Sequence, residues 1–408
     1  MLTRNLTLAG IIAAAFVAPA TAYAQAAPAE ESKSPQIWGF DFTGFLDLGY
    51  THFTDGSGRF NALNGAPPGT NALPARVFDY KKDLSLQNLN LMLAKQPENG
   101  FGGVLDLSIG TDADVIASYG TINREKGPAN GANHYVDPTQ AFLHYGAGPL
   151  TVIAGKFASL AGAEVIKSRD NTNFSRSILF GYAVPFTHTG LRGTYKLSDT
   201  LSLVGGVNEG WDSSTGKNGG ATVELGATFN PVKQFTLVGA FYSGREKVVN
   251  YPLAALNASP TGTRNLIDVV GTLNATDKLS FVLNYDYATQ QGATLLSGAT
   301  GTARWHGLAG YVNYAINDQW RVSLRGEVFD DKDGYRTTTE AGATAGQVWK
   351  EATFTVGYNV IKALELRAEL RRDSSGQNVF YTGSGPVGAP ASGRKGQNSI
   401  GLEAIYKF

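Results

Sequence analysis

Apolar and polar residues alternate with period two, in segments of about ten residues, along most of the chain, and that period belongs to β-strands. Residues Trp38 to His52 put Trp38, Phe40, Phe42, Leu46, Leu48 and Tyr50 on one face and Asp41, Thr43 and Asp47 on the other. Leu84 to Lys95 carries Leu89, Leu91 and Leu93 on one side. After the tight turn Pro97-Glu98-Asn99-Gly100, the stretch Phe101 to Gly110 sets Phe101, Gly103, Leu105, Leu107 and Ile109 against Asp106 and Ser108. The same pattern predicts strands over 136–145, 150–157, 184–195, 201–208, 222–229, 235–243, 265–274, 279–289, 304–315, 320–330, 349–360, 364–372 and 398–408. The total is about 16 strands, all antiparallel, in the even-numbered range of a closed transmembrane barrel.

Connection lengths sharpen that reading, because turns of roughly 3 to 5 residues alternate with polar loops of roughly 12 to 30. A soluble sandwich has no reason to sort its loops in this way. A bacterial outer-membrane barrel does, with short periplasmic turns on one rim and long external loops on the other. With both termini on the periplasmic side, the long connections all fall outside, and 158–183 is the third of them.

The face that meets lipid is read from the late strands. Leu364, Leu366, Ala368 and Leu370 alternate with Glu365, Arg367, Glu369 and Arg371. An Arg or Lys facing hydrocarbon at mid-depth costs about 2 to 4 kcal/mol, so the charged set must face a lumen. Arg321, Ser323, Arg325 and Glu327 oppose Trp320, Val322, Leu324 and Val328, and Glu351, Thr353, Thr355 and Asn359 oppose Phe354, Val356, Tyr358 and Val360. The expected wall charges are therefore Arg321, Arg325, Glu327, Glu351, Glu365, Arg367, Glu369, Arg371 and Glu403. About 16 to 18 strands leave an aqueous channel, where about eight leave a filled interior. Opposed acidic and basic walls favour small polar solutes, although the balanced inventory does not choose between anions and cations. The plainer reading of the same residues is cross-strand pairing that solvates the interior.

One stretch departs from the rhythm. Between Gly155 and Gly190, the residues Glu164, Lys167, Arg169, Asp170, Asn171, Asn173, Ser175 and Arg176 form a dense patch of both charge signs and amides. A loop of this length in a strand-rich chain is more often functional than a passive connector. The expectation is that this third long loop folds inward, so that Glu164, Lys167, Arg169, Asp170, Asn171, Asn173 and Arg176 line the narrowest point of the channel. On the surface they would be solvated loop charges.

The N-terminal residues fix the compartment. Arg4, an apolar stretch from about Leu6 to Ala20, and Ala22-Tyr23-Ala24 before Gln25 make a secretory signal over 1–24, with cleavage after Ala24. A retained membrane anchor fits less well, since the apolar stretch is short of the roughly 20 residues that a spanning helix needs. Residues 25–37 read as a flexible lead-in and 38–408 as the barrel. The chain has 50 glycines, 18 tyrosines, 21 phenylalanines and no cysteine, so no disulfide staples an exported protein of this size. Its 34 basic and 34 acidic residues lack the electrostatic footprint of a nucleic-acid binder.

The last strand alternates Ile400, Leu402, Ala404, Tyr406 and Phe408 with Ser399, Gly401, Glu403, Ile405 and Lys407, and the chain stops on Phe408. This resembles the terminal signature, ending in an aromatic residue, that the outer-membrane assembly machinery recognises. A second resemblance is more specific. Gly155-Lys156, Glu164, Asn171-x-Asn173-x-Ser175-Arg176, Pro185, His188-Thr189-Gly190 and Asn208-x-Gly210-Trp211-Asp212 occur in the order found in the OmpL-like beta-barrel porin family. The one departure is at the family's glycine-acid pair, where Ala163 precedes Glu164 and Gly162 lies one residue earlier. The resemblance implies a bacterial outer-membrane porin through which small hydrophilic solutes and ions diffuse passively, needing no cofactor. Barrels of this size are often homotrimers, again by resemblance, with outer-membrane lipid around them.

Two rival functions come from other classes. Some outer-membrane barrels are hydrolases, and His188 with Ser175 or Ser177 and Asn171 or Asn173 would be the candidate set, since a hydroxyl needs a base in reach and a group orienting that base. Asn and Ser are abundant in polar loops, so chance co-occurrence accounts for them. The five histidines, His52, His134, His144, His188 and His306, show no metal-ligand spacing. The second rival is a receptor or adhesin surface on the long external loops, which are where such roles sit.

Overall fold

The structure is a computed structural model and describes residues 35–54, 78–79, 83–118, 135–214, 220–246, 262–295, 299–337, 346–376, 380–382 and 392–408. The expected signal and most of the lead-in lie outside these residues. A two-residue strand, β1 (Gln36–Ile37), precedes the wall. The wall begins with β2 (Phe40–Phe53), β3 (Ser85–Lys95), β4 (Asn99–Ile109), β5 (Val136–Ala147), β6 (Leu150–Ala158), β7 (Thr187–Lys196) and β8 (Leu201–Asn208). It continues through β9 (Thr222–Val232), β10 (Phe235–Arg245), β11 (Thr263–Asn274), β12 (Leu279–Thr294) and β13 (Thr300–Ala315). Next come β14 (Trp320–Asp331), β15 (Gln347–Ile361) and β16 (Leu364–Ser375). A small hairpin, β17 (Phe380–Thr382) with β18 (Ser392–Arg394), stands apart, and β19 (Gly396–Lys407) completes the wall.

Each wall strand pairs antiparallel with the next, and β19 pairs with β2 from Ser399 opposite Phe53 to Lys407 opposite Phe45. The sheet is thus a closed 16-strand barrel with no free edge, which is what the bilayer demands of a spanning sheet. The seam is reinforced at the end of the chain, where Gly44 and Phe408 exchange backbone hydrogen bonds at 2.8 and 3.1 Å.

Burial follows the sequence pattern. In β16, Leu366 and Leu370 are exposed outward while Glu365, Arg367, Glu369 and Arg371 are buried inward. Phe101, Leu143, Leu324 and Leu402 join the outer apolar belt. Some boundaries differ from expectation. Trp38 does not lie on the first wall strand: with Gly39 it forms a turn at positive φ between β1 and β2 and is exposed. Strand β7 starts at Thr187 rather than 184, because Asp212 holds the backbone N–H groups of Phe186 and Thr187 at 2.9 Å. Strands β12 and β13 run further toward their shared long connection than the alternation alone implies, through the pairs Ala293–Gly301 and Thr294–Thr300.

The polar connections also contain helical turns that period two cannot register. These are α1 (Thr111–Ile116), a 3₁₀ turn over Ser168–Asp170, and α2 (Ile178–Tyr182). The last two belong to the segment between β6 and β7. The side chains of this segment are mostly buried.

Candidate channel constriction

Segment 159–186 is fastened at its neck. Ser159 N–H donates to Phe186 O at 2.9 Å, and Leu160 N–H donates to the Tyr242 hydroxyl at 2.9 Å. Ala163 N–H then reaches Asn284 Oδ1 on β12 at 3.2 Å. Two kinds of wall receive the rest.

Part of the wall at β12 and β13 is apolar. Ala288, Ala303 and Ala309 leave a hollow that Ile178, Leu179, Phe180 and Val184 fill, together with Trp305, Tyr311 and Phe329. Gly307 shows how close the approach is, since a Cβ there would stand 2.7 Å from the Leu179 side chain. Each of these large apolar side chains contributes roughly 1.5 to 3 kcal/mol by leaving water.

Toward β14, β15 and β16 the wall is charged, and it grips the main chain of the segment. Glu369 accepts from Phe174 N–H at 2.8 Å, from Ser175 N–H at 3.1 Å and from the Ser175 hydroxyl. Glu327 accepts from Ile178 and Leu179 N–H at 2.6 and 3.0 Å, satisfying donors that the first turn of α2 leaves open. The arginines take the carbonyls. Arg321 donates to Thr172 O at 2.6 Å, Arg325 to Ser175 O at 2.6 Å, Arg367 to Ser168 O at 3.1 Å and Arg371 to Arg176 O at 2.6 Å. The wall charges also pair with one another, Arg325 with Glu351 at 2.9 Å and Arg367 with Glu365 and Glu403 at 3.0 and 3.1 Å. Glu327, Glu351, Glu365, Glu369, Glu403, Arg325, Arg367 and Arg371 are therefore buried, and only Arg321 among these wall charges is partly exposed. Arg321, Arg325, Glu327, Arg367, Glu369 and Arg371 are the wall charges that touch segment 159–186 directly.

Every polar position of the Asn-x-Asn-x-Ser-Arg run has a partner. Asn171 pairs its amide with both backbone groups of Val165, at 2.9 and 2.8 Å, and so closes the turn around the 3₁₀ piece. Asn173 donates to the Thr355 hydroxyl at 2.7 Å. Arg176 lies between Asp79 and Asp112 at 2.6 and 3.0 Å and stacks on the Phe78 ring at 4.9 Å. Burial alone would lower the Arg176 guanidinium, but its acidic neighbours, Asp79 foremost, outweigh it and raise it above its ordinary value. Burial pushes the Asp112 carboxyl up to about 8, against the opposing pull of Arg176. Glu164 accepts from Ser177 N–H at 2.6 Å and pairs with Arg325 at 2.6 Å.

Two of the other three charges reach past β19, to β2 and β4. Lys167 pairs with Asp106 on β4 at 2.9 Å, and Arg169 donates to Gly44 O on β2 at 3.4 Å with its guanidinium over the Phe45 ring. Asp170 is the most exposed member of the set, its side chain 37% accessible. The segment, which leaves the wall between β6 and β7, thus contacts β12 to β16 and, beyond β19, β2 and β4. Period and composition do not signal Asp79, Asp106 and Asp112 as partners.

The hydrolase set does not assemble. His188 stacks on Tyr242 at 4.6 Å and faces Gly210 O through Nδ1, while Ser175 is held by Glu369 and Ser177 caps α2. Among the described residues no group of His, Cys, Asp and Glu could hold a metal ion.

Comparison with known proteins agrees with this architecture. The model of the family described as "Putative beta-barrel porin-2, OmpL-like" matches residues 39–408. Among solved structures, the chain is similar to the outer membrane channel DcaP of Acinetobacter baumannii, with TM-score 0.58 and 14% identity over 90% of this chain and 97% of that one. It is similar also to OmpT, an outer membrane protein of Vibrio cholerae solved in a trimer form, with TM-score 0.55 and 11% identity over 90% and 99% of the two chains. An anion-selective porin from Comamonas acidovorans matches with TM-score 0.55 and 10% identity, again over 90% and 99%. No curated protein sequence matches the chain.

Proposed function

The chain belongs to the OmpL-like beta-barrel porin-2 family and is a porin of the bacterial outer membrane; from that premise we propose that its solutes pass their narrowest point beside segment 159–186. The observation that carries this reading is the reach of the segment from its neck at the ends of β6 and β7 to Glu327 on β14 and Glu369 on β16, since β6 and β14 stand eight strands apart in the closed ring of 16. A strap across the lumen leaves solutes only the space beside it, and there Lys167, Arg169 and Asp170 are the partly exposed charges of the segment. Small hydrophilic solutes and ions suit such a passage, since pore width and the charges that line it set what passes.

The same reading gives the barrel no catalytic task, and no observation favours the receptor surface over conduction. It has the chain enter the membrane through the barrel-assembly machinery by its C-terminal strand ending in Phe408. It also has the chain assemble as a homotrimer. The test is single-channel conductance of the refolded protein in a planar bilayer. Steps whose ion selectivity changes when Lys167, Arg169 and Asp170 are neutralised together support the reading. Steps indifferent to that change move the constriction elsewhere, and a folded barrel that never conducts overturns the passage altogether.

A further inference from the structure

Most buried arginines of this barrel have a carboxylate at ion-pair distance, as Arg176, Arg192, Arg325, Arg367 and Arg371 do. Arg264 and Arg336 are different. They are 1% and 2% exposed, and among the described residues neither forms a salt bridge. Arg264 donates Nε to Gln290 Oε1 at 2.7 Å and Nη2 to the Tyr335 hydroxyl at 3.2 Å, and Arg336 donates Nε to Tyr182 O at 2.6 Å. The Nη1 atom of each is buried without a hydrogen-bond partner.

Both guanidiniums sit against the same two indoles. Arg264 Cζ lies 4.7 Å from the Trp211 ring centroid and 6.0 Å from that of Trp305, and Arg336 Cζ lies 5.8 and 5.4 Å from the same rings. Tyr335 stacks on Trp305 at 5.7 Å. The carboxylates in the neighbourhood are already engaged by backbone. Asp331 accepts from the N–H groups of Tyr335, Arg336 and Thr337, Asp212 from those of Phe186 and Thr187, and Glu246 from that of Trp211. Burial and the charge of Arg264 pull the Arg336 guanidinium down to about 10. Aromatic faces attract a cation, but less than a counter-ion does, and a buried charge without one is costly.

The position is a mouth of the barrel. Arg264 stands at the start of β11 and Arg336 just past the end of β14, both at the rim of the long connections, and Trp211 follows β8 there. The returning end of segment 159–186 touches the cluster, since Trp305 donates to Ala183 O at 3.1 Å beside the Arg336 bond to Tyr182 O.

We propose that Arg264 and Arg336, walled by Trp211, Trp305 and Tyr335, form a binding site for the carboxylate of a small organic anion whose carbon body lies against the indoles. Charge-assisted bonds from two guanidiniums suit a carboxylate, and flat rings suit a flat solute. Both Nη1 atoms are covered, so the surrounding side chains must shift to admit the anion. The site rests on the channel reading only for the route by which a solute arrives.

The experiment is a titration of the full refolded chain in detergent with benzoate, and with benzamide as its uncharged counterpart, at constant ionic strength and followed by intrinsic tryptophan fluorescence. The expected result is a saturable change with benzoate and none with benzamide, with Arg264→Gln and Arg336→Gln each weakening benzoate by about tenfold or more. Equal responses to the two compounds, or full benzoate affinity in both variants, would overturn the site. Should the variants not fold, the discrimination between benzoate and benzamide by the unaltered chain decides alone. Conductance of the same preparation separates the two readings: benzoate binding without current upholds the site and removes the channel, and current without benzoate binding does the reverse.

Discussion

Arg325 holds Glu164 through Nη1 at 2.6 Å and Glu351 through Nε at 2.9 Å, so that one buried guanidinium ties segment 159–186 to the barrel wall. Removing it strands two carboxylates in a place that water does not reach. Arg325→Met is expected to cost about 3 to 5 kcal/mol, the usual penalty for breaking a buried ion pair from one side. Glu164→Gln, which keeps a hydrogen-bond acceptor toward Arg325, should cost less. Urea unfolding of the folded barrel measures both, and equal midpoints for Arg325→Met and the unaltered chain would remove Arg325 from the docking account.

Segment charges divide by exposure, and selectivity and stability should divide with them. The side chains of Lys167, Arg169 and Asp170 are 14%, 18% and 37% accessible, against 1% for Arg176. Arg169→Gln should shift the reversal potential toward cations and Asp170→Asn toward anions, with little change in unfolding midpoint. Arg176→Gln should lower the midpoint. A set of variants in which selectivity follows Arg176 and ignores Asp170 would reverse this assignment.

Asp112 makes the dock sensitive to pH. Its carboxyl is raised from 3.8 to about 8 when folded, so the folded chain binds that proton more tightly than the unfolded chain does. The stability this supplies is fully present below pH 3.8 and is lost as pH rises to about 8. Asp112→Asn should therefore flatten the fall in unfolding midpoint between those limits. Parallel pH profiles for the two proteins would show that Asp112 does not hold its proton.

Gly401 on β19 leaves room for the Phe174 ring, which a Cβ there would meet. Gly401→Val should push Phe174 out of its seat and loosen its neighbour Ser175 from Glu369 while the barrel still closes. Faster proteolysis within 159–186, with heat-resistant migration of the barrel retained, is the expected outcome. Unchanged proteolysis would mean that the ring has another place to go.

The wall was legible because the membrane imposes its period on each strand separately. Leu364 to Arg371 declares both its faces without reference to any other residue. The dock was not legible in this way, because its partners lie far apart in the chain. Ser175 and Glu369 are separated by 194 positions, and neither residue alone says that the carboxylate will take two backbone N–H groups and a hydroxyl. The charged strip Arg321 to Arg371 could be placed on the inner face from alternation. That the segment covers it depended on contacts that no local pattern carries. Trp38 illustrates the converse, since its apolar character extended the alternation one turn too far and only the backbone at Trp38 and Gly39 ends it.

Glu327, Glu369 and the wall arginines hold the segment mainly by its main-chain atoms, whose chemistry is the same for every residue type except proline. The wall is therefore a socket that reads the path of the inserted chain more than its side chains. A different insert with the same turns, and other residues at 167, 169 and 170, would seat in the same place and, on the proposed constriction, filter different solutes. Such a barrel can change what it admits without being rebuilt.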